Sequence, residues 1–189
     1  MTDDAKDISN IFKAHQLIPD VISVPPAEFL KVIYPSGVIV DKGNKLTPTQ
    51  VKETPSVEWT HESNQFYTLT FTDPDAPSRK NPQFREYQHW IVANIPGNDL
   101  SKGEILTAYV GSGPPQGTGL HRYVFLLFKR TGKIQFKEIH IPKNSGKNRA
   151  KFCVMKFAKK YKLGEPLAGN FYQAEWDDYV PTVHRQLSG

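Results

Sequence analysis

The chain has 189 residues, enough for one domain with a sizeable core, spanning residues 1–189. A hydrophobic content of 38% and a mean hydropathy of −0.50 fit a soluble globular protein, and no apolar run reaches the roughly 18 residues that span a bilayer. The net charge of +5 favours anionic partners such as phosphate groups or acidic membrane surfaces, but falls well short of a nucleic-acid-binding tail.

Cys153 is the only cysteine, so no intrachain disulfide forms and a reducing, cytoplasmic location is expected. Residues 1–7 are acidic and polar, unlike a signal peptide, and are expected to form a flexible N-terminus. Ile8, Ile11, Phe12 and Leu17 recur at roughly helical spacing before Pro19, which predicts a short helix over 8–18. Pro25 and Pro26 keep 21–30 extended. The segments 31–34 and 38–40 flank the turn signal Pro35-Ser36-Gly37 and predict a hairpin. A second turn falls at Gly43-Asn44, residues 47–50 read as loop, and Ser56–Trp59 as a strand.

The clearest strand is Phe66–Thr72, alternating and rich in aromatic and β-branched residues. It ends at Asp73-Pro74-Asp75-Ala76-Pro77, where two prolines stop any ladder. His89–Ile95 reads as a buried strand closed by Pro96-Gly97, and Ile105–Val110 leads into the loop Gly111–Gly119. That loop combines glycines, which permit close approach, with Pro114 and Pro115, which stiffen it. Arg122–Phe128 is almost wholly apolar, as expected of a strand covered on both faces. Ile134–Phe136 is a weaker strand. Ala150, Cys153, Val154, Phe157, Ala158 and Tyr161 then fall on one helical face, predicting an amphipathic helix of about three turns with a lysine-rich outer side. A last helix follows Asp177-Asp178, with Pro181 in its first turn. Strands in the middle and helices at the ends favour a mainly β domain, a sandwich.

If the strand ends share one sheet, Asp73, Asp75, His89, His121 and Tyr123 converge with glycine amides. Two histidines and a carboxylate suit iron or zinc, but no His-x-His or His-Glu-x-x-His spacing supports a metal site. Ser112 and Thr118 lie near His121, yet no Gly-x-Ser-x-Gly elbow follows a strand, and the glycine loop lacks the Lys-Ser/Thr of a P-loop. Binding of a small phosphate-bearing group fits best: glycine amides form an anion-accepting concavity, and His89, His121 and Tyr123 supply donors. The expectation is a binding protein, not an enzyme, with neither cofactor nor metal.

The motifs Asp73-Pro-Asp-Ala-Pro-Ser-Arg79, His89-Trp90 and Tyr109–Tyr123 resemble the signature regions of the phosphatidylethanolamine-binding proteins, also called the Raf kinase inhibitor protein family. Leu46–Lys52 and Tyr172–Pro181 resemble further family segments, and the likeness to the animal cytosolic branch runs from about residue 8 to the C-terminus. The resemblance implies a β-sandwich of a large and a small sheet with terminal helices. It implies a small anion pocket lined by Asp73, Asp75, Pro77, Tyr87, His89, Gly111, Gly113, Pro114, Pro115, His121 and Tyr123. It also implies cis bonds at Ala76-Pro77 and Arg85-Glu86. Phe84 stands where a Tyr is frequent, His184 where mammalian members carry a pocket-closing Tyr, and Lys156 where kinase-regulating members carry a phosphorylatable Ser. The implied ligand is a phosphoethanolamine or phosphate group, with phosphorylated peptides next. A protein kinase of Raf/MAP kinase signalling or a serine protease is the implied protein partner. A monomer with peripheral membrane contact and no nucleic-acid partner completes the expectation.

Overall fold

The computed structural model describes residues 2–189. Its centre is a seven-stranded mixed sheet in the order β1-β9-β8-β5-β6-β7, with β3 also paired to β9. The strands are β1 (Glu28–Phe29), β3 (Asn44–Lys45), β5 (Gln65–Asp73), β6 (Tyr87–Pro96), β7 (Glu104–Thr107), β8 (His121–Thr131) and β9 (Ala168–Ala174). A second, two-stranded sheet pairs β2 (Lys31–Ile33) with β4 (Ser56–Glu58). Helices α1 (Asp3–Ala14), α2 (Leu17–Asp20), α3 (Val154–Lys160) and α4 (Val180–Leu187) complete the domain. This is the expected large-sheet, small-sheet sandwich with terminal helices.

The apolar run of β8 has the expected cause. Tyr123, Phe125 and Leu127 enter one core with Val32 and Val57 of the small sheet. Val124, Leu126 and Phe128 enter the other, with Ile8 and Phe12 of α1 and Val154 and Phe157 of α3. Successive side chains point to opposite faces, so a strand covered twice must be apolar throughout. Phe71 and Phe125 stack across the β5–β8 pair with ring centroids 3.9 Å apart. Each fully buried side chain of this size contributes on the order of 2 kcal/mol.

Several local expectations differ from the structure. α1 begins at Asp3, so residues 3–7 are helical rather than flexible; Thr2 caps it by accepting from Ala5 N. Acids in the first turn complement the helix dipole, a signal masked by the lack of apolar residues there. The 31–40 hairpin is present in short form, with an Ile33–Ile39 bridge flanked by Tyr34 N donating to Val38 O and Val40 N to Val32 O, while β2 also pairs with β4. Ile134–Phe136 is not a strand: the Asn94 side chain bonds both the N–H and the carbonyl of Ile134, supplying the pairing a strand would have given. α3 starts at Val154, four residues later than the apolar spacing suggests, since Lys151 takes a left-handed φ of 61° and Phe152 pairs with Glu86 instead. Pro181 does lie in the first turn of α4.

The sequence pattern did not announce β9, although it sits between β1 and β8. Gly169 and Asn170 are poor strand formers. Here Gly169 is needed for close approach, since an added Cβ would lie 2.8 Å from Pro26 Cγ. The buried Asn170 amide donates to Leu30 and Val40 carbonyls and its oxygen accepts from Lys42 N, tying three chain segments together. Among the described residues no helix is long and apolar enough to cross a membrane.

Candidate functional site

β5 runs antiparallel to both β6 and β8. Its C-terminal end therefore lies beside the N-terminal ends of its two neighbours. Asp73 pairs in register with Tyr87, and Thr72 with Val124. This alone gathers Asp73, His89, His121 and Tyr123, which are far apart in sequence, at one end of the sheet.

They form the floor of a cavity of about 220 Å³. Pro77, Tyr87, Gly113, Pro115 and His184 also line it, together with apolar Ala76, Phe84, Val183 and Leu187. Nine of the twelve expected site residues thus meet in one small space. Its base is polar and its rim is apolar, so an entering group loses water before it meets the floor, where electrostatic contacts are stronger. The turns at Ala76-Pro77 and Arg85-Glu86 carry the expected cis bonds.

Asp75, Gly111 and Pro114 do not line the cavity. Asp75 is fully buried behind it, where its carboxylate accepts from Arg122 N, Nε and a terminal nitrogen at 2.9, 2.9 and 2.7 Å. Arg122 follows His121 on β8, so its side chain points to the opposite face. It also donates to His15 O and Asp20, clamping the α1–α2 segment against the pocket turn. Gly111 and Pro114 are buried in the loop; a Cβ on Gly111 would lie 3.0 Å from Val51 O.

The histidines differ from simple anion donors. His89 Nδ1 lies 2.9 Å from Val110 O, which can only accept, so the ring proton sits there and Nε2 is the lone-pair side. Burial lowers its pKa to about 4, outweighing the pull of Asp73, so the ring is neutral at pH 7. His121 places Nδ1 2.8 Å from Asp73 Oδ2 and Nε2 2.8 Å from Thr118 Oγ1. Thr118 Oγ1 also lies 2.7 Å from Pro115 O, so one hydroxyl proton is contested between a carbonyl and an imidazole. Asp73 Oδ1 accepts from Asp75 N at 2.6 Å, which fixes the carboxylate that orients His121. Tyr123 is held between His89 and Tyr172, with centroids 5.3 and 5.1 Å away, and its buried hydroxyl has no hydrogen-bond partner among the described residues. Burial pushes its pKa well above the usual tyrosine value, so it remains a donor.

α4 closes the remaining side. His184 Nε2 donates to Gly113 O at 2.9 Å, linking the last helix to the loop across the mouth. Gly113 is required there: a Cβ would lie 2.9 Å from Val183 Cγ1. Val183 and Leu187 were not singled out from sequence, though their spacing with Val180 marks one apolar face of the helix. Among the described residues no group of three or more His, Cys, Asp or Glu is placed to hold a metal ion.

Fold and site together define a β-sandwich binding protein with a small, half-enclosed polar-floored pocket. The sequence pattern described as phosphatidylethanolamine-binding protein matches residues 36–173, and the chain belongs to that family. A Drosophila melanogaster protein named as a candidate odorant-binding protein, A5, is 36% identical over 187 residues, covering 99% of this chain and 89% of its own. The solution structure of CG7054 is 47% identical with a TM-score of 0.75, covering 92% of this chain and 99% of its own. A carboxypeptidase Y inhibitor, solved in complex with its cognate proteinase, is 29% identical with a TM-score of 0.80, covering 93% of this chain and 98% of its own. The phosphatidylethanolamine-binding protein of Plasmodium vivax, at 24% identity and a TM-score of 0.77, shares the fold; 89% of this chain and 97% of that one are covered.

Proposed function

We propose that the pocket recognises a small phosphate-bearing group, of the phosphoethanolamine or phosphomonoester type. The observation that carries this reading is the convergence of Asp73, His89 and His121 at the base of a cavity of about 220 Å³ with an apolar rim. The neutral His89 refines it. An imidazole lone pair repels a phosphate dianion but accepts from a P–OH, so the favoured species is the monoanion, or the dianion taken up with a proton. The Tyr123 hydroxyl, unpartnered among the described residues, and the Tyr87 hydroxyl are donors in the pocket wall that could meet a phosphate oxygen. The test is an NMR titration of wild-type and His121→Ala proteins with phosphoethanolamine and with inorganic phosphate. Shifts of pocket amides in wild type and their loss in the variant are expected. Equal titration curves for the two proteins would sink the reading.

A second reading is inhibition of a peptidase, a serine carboxypeptidase in the first instance. The likeness to the carboxypeptidase Y inhibitor over nearly the whole of both chains supports it. Adding this protein to a carboxypeptidase Y assay should slow peptide hydrolysis in a dose-dependent way. The same assay with His121→Ala shows whether the pocket takes part.

A further inference from the structure

We propose that the lysine-rich surface built by α3 and the preceding connection docks onto an anionic lipid bilayer, independently of what fills the pocket. Residues 133–162 hold ten of the chain's 24 Lys and Arg but only one of its 19 Asp and Glu, so this segment is strongly positive while the rest of the chain is net acidic. Every one of its lysines is exposed. Lys160 pairs with Glu138 at 3.3 Å; among the described residues the other lysines of the segment have no acidic partner within salt-bridge distance.

The lysines of α3 and of the 136–138 stretch lie side by side. Lys137 N donates to Tyr161 Oη, and Phe136 packs on the Tyr161 ring at 4.5 Å, which lays the 136–138 stretch along the end of α3. Ile139 and Lys151 line one groove of about 320 Å³; Met155, Lys159 and Lys162 line another of about 460 Å³. Ile139 is 68% exposed and Met155 39% exposed, so apolar tips stand among the ammonium groups. That mixture suits the boundary between headgroups and acyl chains.

The chemistry of the cations selects the partner. The segment's one arginine, Arg149, is buried and committed to the Gln88, Ala108 and Pro142 carbonyls. What faces solvent is lysine alone, a hydrated point charge without the planar fork that reads a phosphopeptide or a base edge. Neither exposed apolar residue on this face is aromatic, so no stacking platform for single-stranded nucleic acid is offered. A diffuse array of point charges matches a fluid anionic lipid surface, where each lysine adds to the attraction and salt removes it. The surface also reaches the pocket: Lys151 N donates to the carbonyl of Phe84, a rim residue 41% exposed. A docked bilayer would therefore lie beside the pocket mouth.

The test is co-sedimentation of the full chain with phosphatidylcholine vesicles, with and without phosphatidylserine. Wild type is expected to pellet only with the anionic vesicles at low salt and to be released as salt rises toward about 0.5 M. Lys156→Glu/Lys159→Glu/Lys162→Glu should lower the partition coefficient at least about tenfold, with an unchanged circular dichroism melt. The corresponding lysine-to-glutamine triple variant, which introduces no new charge, should fall between the two. His121→Ala should pellet like wild type, which separates this surface from the pocket. The proposal is overturned if wild type stays in solution with anionic vesicles. It is equally overturned if both triple variants pellet like wild type, if neutral vesicles serve as well, or if a single-stranded oligonucleotide binds where anionic vesicles do not.

Discussion

Asp75 and Arg122 hold one another through three hydrogen bonds, and neither side chain is exposed to solvent. Burial by itself would raise the Asp75 pKa, but the Arg122 bonds and charge outweigh it and hold the carboxyl below its usual range. The pair joins the pocket turn to the N-terminal segment through Asp20 and His15 O. Removing either partner leaves a buried charge with only a partly exposed counter-ion, Arg85 for Asp75 and Asp20 for Arg122. Arg122→Ala and Asp75→Ala should each cost about 3–5 kcal/mol in urea unfolding at pH 7. Because the folded Asp75 pKa is depressed, its contribution is complete above the unfolded value near 3.9 and is lost as pH falls through the folded value. A variant as stable as wild type at pH 7 would refute this role.

His89 adds a pH dependence of its own. Its folded pKa of about 4, set first by burial, lies below the unfolded value near 6.5. Between those values the unfolded chain takes a proton that the folded chain refuses. The His89 contribution to stability should therefore fall as pH drops from about 6.5 to 4, by at most about 1.4 kcal/mol per unit. His89→Asn, which can keep the bond to Val110 O, should remove that contribution and uncover the opposite slope set by Glu86. Phosphate binding should reverse the preference and draw a proton in. Calorimetry in two buffers of different ionisation enthalpy should give different heats for wild type and a smaller difference for His89→Asn. Identical heats in both buffers for wild type would show that no proton is taken up.

Glu86 acts with the opposite sign. It is 2% exposed, accepting from Thr72 Oγ1 at 3.1 Å and Val154 N at 3.4 Å. Burial outweighs these bonds and raises its pKa to about 8. The folded chain thus keeps a proton that the unfolded chain releases near pH 4.3. Stability from this group falls as pH rises between those values. Glu86→Gln, neutral at every pH, should match wild type below about pH 4 and gain on it as pH rises, by roughly 4 kcal/mol at pH 8. Thermal melts across that range check it, and parallel curves for the two proteins would count against a protonated Glu86. Since Glu86 and His89 tilt stability in opposite directions between about pH 4.5 and 6.5, wild type alone should show a flattened curve there.

The sequence by itself determined the strands that carry the site. Phe66–Thr72, His89–Ile95 and Arg122–Phe128 announce themselves because a strand buried on one or both faces must repeat or run apolar. Their ends, marked by prolines and glycines, named Asp73, His89, His121 and Tyr123, and the motif resemblance added the rim. What only the tertiary structure decided depends on contacts between distant segments. β9 reads as no strand because Gly169 answers to Pro26 and Asn170 to carbonyls well over a hundred residues away. Asp75 resembles Asp73 in sequence, yet its neighbour across the sheet is Arg122, so one carboxylate orients a pocket histidine and the other anchors the chain behind it. The neutrality of His89 likewise follows from burial, which outweighs the pull of Asp73 and of the Val110 carbonyl. Local pattern records which face of an element is dry. Charge state and role are set by what the rest of the chain folds against it.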